Sequence, residues 1–542
     1  MFAVGGWLDE TKRVYFQNAT SVRDYRVQLR GSRSVILFGL YLFILIGAAF
    51  FAYDSSTRYA GGSIVDAQRQ LHTFAATVMG MLGGAIALVA PGLSATAVVL
   101  EKQRQSLDLV FSGPVTPKYY LVGKMMSSYR YSWMLLVLAL PIVAASVVLG
   151  GASWYDVLTA FIQLSAQGLI LTAIALLMST MAVRPVSAII WSYAATIVYC
   201  IASSLISVSY VFSRTFGGMS GIGSNANEAP WYVTMSPFTA LDTSRSVTVA
   251  WGVHVPNWIF AVLFALATSK IFVLAAGTQL SFTGGREIPS LRIHSLLYGF
   301  LLSYAIGCAV GGSVSAIHSV TRSAAFGSTP MAVTASDTSS ILGRAFCGMT
   351  SVLVLFIAYL SCFGYDREHR YWPNGLVSWK SIWNGTPAGN LPFLLMTLLL
   401  ASLGMGIGAG VSGVGVVSGF YWIYVGYAIS FWVLMFAIGR MVSSFFGGLR
   451  NSRVLVFVVL IAITSLPLPF LTAVGRNSED PTNSMLWNFY FLSPLLGDDA
   501  TRVPSALMFA ALMTGAAVVL LFLSELRARS KMVQAQKYDE QA

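Results

Sequence analysis

Charged side chains are scarce in this sequence. Asp, Glu, Lys and Arg together make up 10% of its 542 residues, hydrophobic residues make up 56%, and the mean hydropathy is +0.70. A chain that exposed so little polarity to water would aggregate, so the composition excludes a protein that is mainly water-soluble. The main solvent of the chain must be lipid, and the sequence predicts an all-α polytopic membrane protein.

Cysteine and histidine are also rare, with four and five residues respectively. The cysteines show neither CxxC spacing nor His neighbours, so no metal site and no metal cofactor are expected. No His, Asp and Glu cluster has catalytic spacing, and the sequence contains no GxxxxGK[ST] motif for binding ATP. We therefore expect a chain that is not itself an enzyme.

Apolar runs of about 20 residues are long enough to cross a bilayer as helices, and the sequence contains twelve of them. They lie at residues 35–53, 72–100, 131–150, 157–182, 186–211, 257–279, 293–317, 346–364, 391–409, 411–439, 454–474 and 505–525. A glycine series at 404–419 surrounds the border between the ninth and tenth runs. It permits close helix packing or a flexible break, and close packing is the favoured interpretation.

The basic residues predict the orientation of these spans, because cytoplasmic loops retain Lys and Arg. With the N-terminus inside, the inner segments hold 24 of the 33 Lys and Arg residues, the outer segments hold eight, and Lys270 lies within the sixth span. This distribution predicts that both termini are cytoplasmic. It also accounts for the net charge of +12 without a nucleic-acid partner.

A twofold repeat indicates two six-span halves, 1–292 and 293–542. Adding 257 to a residue number places the first span on the seventh, and it places SPFTALD (236–242) on SPLLGDD (493–499). Each half has a long outer loop before its last span. The first of these loops contains APWYVTMSPF, which is so apolar that we expect a short helix dipping back into the outer leaflet.

The segment NATSVRDYRVQLRGSRS, before the first span, predicts a helix lying on the membrane surface. Ser21 and Asp24 form a start that resembles a capping box. An apolar stripe runs beside a basic stripe, and the two comprise Val22, Tyr25 and Leu29, and Arg23, Arg26, Arg30 and Arg33. The alternative is a basic flank of the first span without a defined helix.

The segment EKQRQSLDLVFSGPVTPKYYLVGK (101–124) is a charged loop on the predicted inner side. Residues 101–111 predict one short helix, with Leu107 and Phe111 on one side. Gly113 and Pro114 should break that helix. Thr116 is then the predicted N-cap of a second helix that begins with Pro117 and leads into the third span.

The two segments resemble the membrane subunits of type-2 ABC exporters. The first cytoplasmic loop of that family has a Glu with basic neighbours, aliphatic residues, a Thr-Pro corner and a later Gly-Lys pair, and this chain follows the same order. The residues that carry this resemblance are Glu101, Lys102, Ser106, Leu107, Asp108, Val110, Phe111, Pro114, Thr116, Gly123 and Lys124. Gln105 stands where the family usually has Gly, Gly113 where it often has Thr, and Asp24 where it has Glu.

The resemblance implies an N-terminal elbow helix, a coupling helix after the second span, and separate ATPase subunits that hold ATP and Mg²⁺. In that family, closure of two ATPase domains around ATP switches the substrate path from inward to outward. By resemblance, the residues that dock into the ATPase or carry its motion to the third span are Glu101, Lys102, Arg104, Leu107, Asp108, Phe111, Pro114, Thr116, Gly123 and Lys124.

The corresponding loop of the second half, YDREHRYWPNGLVSWKSIWNGTPAGN (365–390), lacks the family spacing. Its charged and aromatic start is a candidate for a degenerate second coupling loop, and it comprises Asp366, Arg367, Arg370 and Trp372. In that case the chain is a fused pair of halves that serves two ATPase copies. The alternative is one half that pairs with a second permease chain or an accessory subunit.

Two further classes compete with an ABC permease in a cell membrane, for which a bacterial inner membrane is expected. An ion-coupled secondary transporter with twelve spans should carry acidic residues inside its spans, and this chain has almost none there. A membrane-embedded transferase should show clustered acids or histidines at one membrane face. The sequence does not identify the substrate or the residues that bind it.

Overall fold

The structure is a computed structural model. It describes residues 18–30, 32–58, 64–112, 116–149, 151–217, 230–250, 253–280, 287–324, 342–343, 346–347, 349–350, 378–383, 389–414, 419–446 and 503–539. The chain divides into two compact units, Met1–Glu287 and Ile288–Ala542, and their border lies near the predicted one at 292. That each unit contains six spans stays a prediction.

The first unit is built almost entirely of helices. These are α1 (Ala19–Leu29), α2 (Ser32–Arg58), α3 (Ile64–Ala95), α4 (Val99–Gln103), α5 (Ser106–Phe111), α6 (Pro117–Leu138), α7 (Leu140–Val148), α8 (Trp154–Met181), α9 (Pro185–Gly217) and α10 (Asn257–Leu280). A 3₁₀ turn at Trp231–Met235 and an antiparallel hairpin of β1 (Val247–Ala250) and β2 (Val253–Pro256) precede α10. The described residues are predominantly helical, as the sequence predicted, and this short hairpin is the one β element among them.

Within the described residues, eight helical segments are long and apolar enough to cross a membrane. They are Gln70–Gln103, Pro117–Val148, Trp154–Met181, Asn257–Leu280, Ile288–Gly311, Asn390–Ser412, Tyr421–Val442 and Ala506–Arg527. The chain is therefore a predominantly helical, polytopic membrane protein. The predicted first and fifth spans correspond to shorter apolar helices, Phe38–Asp54 and Pro185–Ile201. The predicted eleventh span and most of the eighth lie outside the described residues.

Helix α8 is the centre of the first unit. It packs against α3, α6, α9 and α10, and 78% of its apolar stretch is buried, the highest share among the eight segments. Leu164 and Leu171 of α8 belong to one hydrophobic core with Leu82 and Ile86 of α3. Its glycine, Gly168, lies opposite Ile86. A helix buried on most sides gives the other elements a fixed surface to pack on.

The segment 230–246 packs against the spans, and a 3₁₀ turn at Trp231–Met235 lies where the apolar sequence APWYVTMSPF predicted a short helix. That this helix dips into the outer leaflet stays a prediction. A Cβ atom at Gly83 of α3 would collide with the Pro237 backbone. Gln167 of α8 donates to the Thr234 carbonyl (3.1 Å). Gly83 and Gln167 each lie 13 residues beyond the start of their apolar segments, roughly 20 Å along the helix axis. The backbone here is irregular, and side chains of the neighbouring helices satisfy it, as lipid surroundings require.

An ion pair ties the end of this segment to the start of α8. Arg245 donates through Nε and Nη2 to the two carboxylate oxygens of Asp156, over 2.6 and 2.7 Å. Asp156 also accepts from the Ser153 backbone amide (3.0 Å) and completes a capping box at the start of α8. The hydrogen bonds from Arg245 to Asp156 raise the pKa of Arg245, because they stabilise its charged guanidinium.

The second unit contains four long described helices. These are α11 (Glu287–Ala324), α12 (Asn390–Ala409), α13 (Gly419–Phe446) and α14 (Val503–Asp539). A π-helical turn at Gly410–Val414 follows α12 directly, and the predicted border between two spans near 410 stays a prediction. Helices α13 and α14 pack on each other.

Glycines allow α11 and α12 to approach closely. A Cβ atom at Gly404 would lie 2.7 Å from the Phe300 carbonyl oxygen, and one at Gly408 would collide with the Tyr304 carbonyl oxygen. On the other side, Gly307 of α11 meets the backbone of α12. The close packing that the 404–419 series predicted is therefore confirmed for Gly404 and Gly408.

Candidate functional site

The candidate site begins at Asn18, which caps α1. Its Oδ1 accepts from the Thr20 and Ser21 backbone amides (3.1 and 3.4 Å). Its Nδ2 donates to the Tyr119 carbonyl oxygen (2.9 Å), in the first turn of α6. The predicted capping box at Ser21 and Asp24 is therefore wrong, because the helix already begins at Ala19 and Ser21 is buried inside its first turn. One amide side chain both starts α1 and attaches it to α6.

Gly123 lies directly against this cap. A Cβ atom at position 123 would lie 2.7 Å from Asn18 Oδ1, closer than real Cβ contacts. Any larger residue would push Asn18 away from the amides that it caps. Gly123 thus permits the close approach of α1 to α6, a role that the sequence alone did not reveal.

Lys124, the next residue, is a buried cation between two carboxylates. Its Nζ lies 2.5 Å from Glu101 Oε1, in α4, and 2.6 Å from Asp24 Oδ2, in α1. Tyr120 donates its hydroxyl hydrogen to Glu101 Oε2 (2.5 Å). We call Asp24, Glu101, Tyr120 and Lys124 the Lys124 cluster. The lysine side chain is only 7% exposed, so the cluster joins three helices by charge-assisted bonds shielded from water.

Helix α4 is fixed at its other end by α8. The Ser179 hydroxyl accepts from the Val98 and Val99 backbone amides (3.1 and 3.2 Å), which begin α4. Lys102 donates to the Thr180 carbonyl oxygen (3.5 Å). Helix α4 is therefore held between the end of α8 and the Lys124 cluster.

The predicted single helix over 101–111 is wrong. Helix α4 ends at Gln103, α5 begins at Ser106, and Gln105 between them adopts a φ of +54°. This is the left-handed region, which residues with a side chain enter only at an energetic cost. The Ser106 hydroxyl donates to the Glu101 carbonyl oxygen (3.2 Å) and closes the corner.

The remaining predicted loop residues fall into two groups around this corner. Lys102 and Arg104 are exposed, whereas Leu107 is buried. The Phe111 ring meets the Tyr120 ring edge to face, with 5.7 Å between centroids, and so attaches the end of α5 to α6. Asp108 lies within α5, but its side chain is outside the described part of the structure, as is Pro114.

The start of α6 follows the sequence prediction. Thr116 accepts from the Tyr119 backbone amide (3.3 Å), and Pro117 is the first helical residue. Pro117 needs no hydrogen-bond partner for its nitrogen, and its fixed φ suits the first turn. The cap therefore fixes the start of α6, and Gly123 and Lys124 lie about two helical turns after it.

Helix α1 has the two faces that its sequence predicted. Arg23, Arg26 and Arg30 are exposed. Half-buried residues form the other face, and these are Val22, Tyr25 and Leu29. Tyr25 Oη lies 3.5 Å from Met134 Sδ, so part of the apolar face packs on α6 and is not available to lipid. The Arg33 side chain is outside the described residues.

The four predicted residues of the second coupling loop lie outside the described part of the chain. These are Asp366, Arg367, Arg370 and Trp372. Among the residues that are described, no three His, Cys, Asp or Glu side chains lie close enough to hold a metal ion.

Sequence reasoning missed Asn18 and Tyr120 as members of this site. The signal for Asn18 was its residue type, because Asn is a preferred N-cap and stands three positions before Ser21. For Tyr120 the signal was its position one helical turn before Lys124, which places both side chains on one face of α6.

We compared the sequence with protein-family models and with curated proteins. No known protein family matches this sequence, and no curated protein matches it either. The fold and the site define a class, a polytopic helical membrane protein with a cluster of charged residues that joins three of its helices.

Proposed function

We propose that this chain is the permease subunit of an ABC exporter, which moves its substrate across or out of the membrane with ATP hydrolysed by separate ATPase subunits. The observation that carries the proposal is the Lys124 cluster. It connects the charged 101–111 segment to both α1 and α6 through Glu101, Asp24 and Lys124. A push on α4 would therefore reach two other helices through short, buried bonds.

The exposed surface of this segment supports a protein partner. Lys102, Gln103, Arg104 and Gln105 are all exposed around the corner between α4 and α5. They project from an element whose inner side is fixed by Glu101 and by Ser179. A rigid element with an exposed polar surface suits docking to an ATPase, and the absence of a GxxxxGK[ST] motif from the sequence leaves hydrolysis to that partner.

The proposal includes the finer architecture. The chain has twelve spans in two halves, α1 lies on the membrane surface as an elbow helix, and both termini face the cytoplasm across a bacterial inner membrane. One chain supplies both halves of the pathway and serves two ATPase copies. The resemblance of 101–124 to type-2 ABC exporters and the border between the two compact units support this arrangement.

The first experiment is purification of the C-terminally tagged protein from its native membrane in mild detergent, with quantification of what copurifies. Two copies of an ATP-binding-cassette ATPase per chain would support the fused permease. One copy per chain would favour a pair of such chains. Recovery of the chain without any ATPase would contradict the proposal and leave ion-coupled transport as the leading hypothesis.

A variant then tests the site itself. Glu101→Gln should lower partner ATP hydrolysis that depends on the permease, because Lys124 loses one of its two carboxylates, while membrane insertion stays normal. Lys118→Gln removes an exposed charge from the start of the same α6 and is the matched control. Equal ATPase rates in the two variants would reject a coupling role for Glu101.

A further inference from the structure

A second buried cation fixes a short turn in the second unit. Arg292 of α11 is fully buried and donates Nη1 to the Ile382 carbonyl oxygen. Its Nη2 donates to Asn390 Oδ1, at the start of α12, over 2.6 Å. The guanidinium carbon also lies 5.1 Å from the centroid of the Phe393 ring. The 379–383 turn, which contains Ile382, is thus held in place by one side chain.

These contacts also place the turn relative to the membrane. Arg292 lies at the beginning of the apolar segment Ile288–Gly311, and Asn390 is the first residue of Asn390–Ser412. Because the Arg292 guanidinium binds Asn390 directly, the two apolar segments begin at a similar depth in the membrane. The beginning of an apolar span marks the border between lipid and water. The Ile382 carbonyl, bound by the same guanidinium, lies at that border.

The outer surface of the turn consists of residues typical of such a border. Trp379 is 62% exposed and Trp383 is 39% exposed, and Lys380 between them is exposed as well. Ser381 and Ile382 point inward and are buried. Trp rings concentrate at the level of lipid headgroups, and Lys ammonium groups near a membrane surface are attracted to anionic lipids.

The turn cannot retract easily into the protein. A Cβ atom at Gly389 would collide with the Ser381 carbonyl oxygen, so the chain entering α12 passes directly behind the turn. Together with the bond from Arg292, this contact keeps Trp379 and Trp383 facing outward. The two exposed Trp rings cannot turn inward, and exposing their apolar surface to water is energetically unfavourable.

We propose that the 379–383 turn is a lipid-binding site at the membrane surface. Trp379 and Trp383 lie among the glycerol and carbonyl groups of the lipid, and Lys380 pairs with the phosphate of an anionic headgroup. The proposal does not depend on the ABC hypothesis. It assigns a lipid partner to residues 379–383 of the 365–390 loop.

The pairing of Lys380 with an anionic headgroup is tested by titrating phosphatidylglycerol into the detergent-solubilised full-length protein and following its thermal stability. Lys380→Gln should shift the midpoint of the stabilisation to about fivefold higher lipid, the effect expected of one lysine near a membrane surface. Arg104→Gln removes an exposed charge from the corner between α4 and α5, which is predicted to face water, and should leave the midpoint unchanged. Equal shifts in both variants, or none in Lys380→Gln, would overturn the site.

The position is tested with a spin label on Trp379→Cys in phosphatidylcholine vesicles that contain no other protein. Contact with oxygen and with a water-soluble nickel chelate should place the label at headgroup depth, whereas a label on Arg104→Cys should be fully aqueous. A label at 379 that is aqueous, and becomes protected only when an ATPase is added, would show that the turn binds a protein instead.

Discussion

Lys124 carries a positive charge that two carboxylates from different helices neutralise. Its side chain is 7% exposed, while those of Glu101 and Asp24 are 20% and 16% exposed. Removal of one partner from a buried ionic cluster costs more than the cluster itself contributes, because the remaining charges stay away from water. The identity of this one residue should therefore dominate the stability of the junction.

Lys124→Met should destabilise the first unit by about 3 kcal/mol, because Glu101 and Asp24 then face each other without a cation. The measurement is the thermal unfolding of the purified protein in detergent. Lys118→Met, at an exposed position of the same helix, should change the melting temperature little. Similar melting temperatures for the two variants would show that the Lys124 cluster does not stabilise the fold.

Gly123→Ala should cost about 1 to 3 kcal/mol, the range for an overpacked contact, because the new methyl group displaces Asn18. Combining it with Asn18→Gly should recover part of the loss, since glycine removes the clashing amide and still tolerates a cap position. Gly47→Ala is the control, because a Cβ there meets nothing within 4 Å. Strict additivity of the two substitutions would refute the clash.

At the scale of elements, the corner between α4 and α5 stores strain at one residue. Gln105 has a φ of +54° and lies between the end of α4 at Gln103 and the start of α5 at Ser106. Left-handed backbone costs an L-residue roughly 1 to 2 kcal/mol. The cost persists because Ser179 and the Lys124 cluster fix both sides of α4.

Gln105→Gly should stabilise the protein by about 0.5 to 1 kcal/mol, since the relief of strain exceeds the entropy that glycine loses on folding. Gln103→Gly, two residues earlier and inside α4, should instead destabilise it by about 1 kcal/mol. Opposite signs of the two shifts in melting temperature are the expected result. If both variants lost stability equally, the left-handed corner would be absent in solution.

The packed segment 230–246 is held by one ion pair and by a few polar contacts. Asp156→Asn should loosen it, because Arg245 loses its charged partner, whereas the amide oxygen of Asn can still accept from the Ser153 backbone amide. Because Arg245 is 60% exposed, water screens this ion pair and its contribution is about 0.5 to 1 kcal/mol, so the open population should rise about two- to fivefold.

The measurement is the rate at which a maleimide labels Val233→Cys, which lies at a buried position of this segment. Arg245→Lys keeps the charge but loses the paired geometry, so its rate should lie between those of the wild type and Asp156→Asn. An unchanged rate in Asp156→Asn would show that the hydrophobic contacts of Trp231 with Phe260 and Phe264 suffice.

At the scale of the whole molecule, the orientation of the spans decides which surfaces meet the cytoplasm. Arg104→Cys, at the exposed α4–α5 corner, should react with a membrane-impermeant thiol reagent only after cells are permeabilised. Val253→Cys, in the exposed hairpin, should react with intact cells. The two sites lie in the same unit, on predicted opposite sides of the membrane. The reverse pattern would invert the topology.

The sequence by itself determined the properties that depend on local composition. Apolar runs of membrane length predict spans wherever they occur, because the cost of exposing them to water does not depend on their neighbours. The cap at Thr116 and the start at Pro117 are equally local. The glycines at 404 and 408 indicated close packing, since their lack of a side chain has few other uses inside a span.

Only the tertiary structure decided which distant residues meet. Asp24, Glu101 and Lys124 come from three elements, and their contact depends on the rotation of each helix about its axis, which no local pattern fixes. The left-handed Gln105 broke a helix that propensity favours, because the packing on both sides of it outweighs about 1 kcal/mol of local strain. The role of Arg292 likewise depends on tertiary contacts, because its guanidinium binds Ile382 and Asn390, which lie 90 and 98 residues further along the chain.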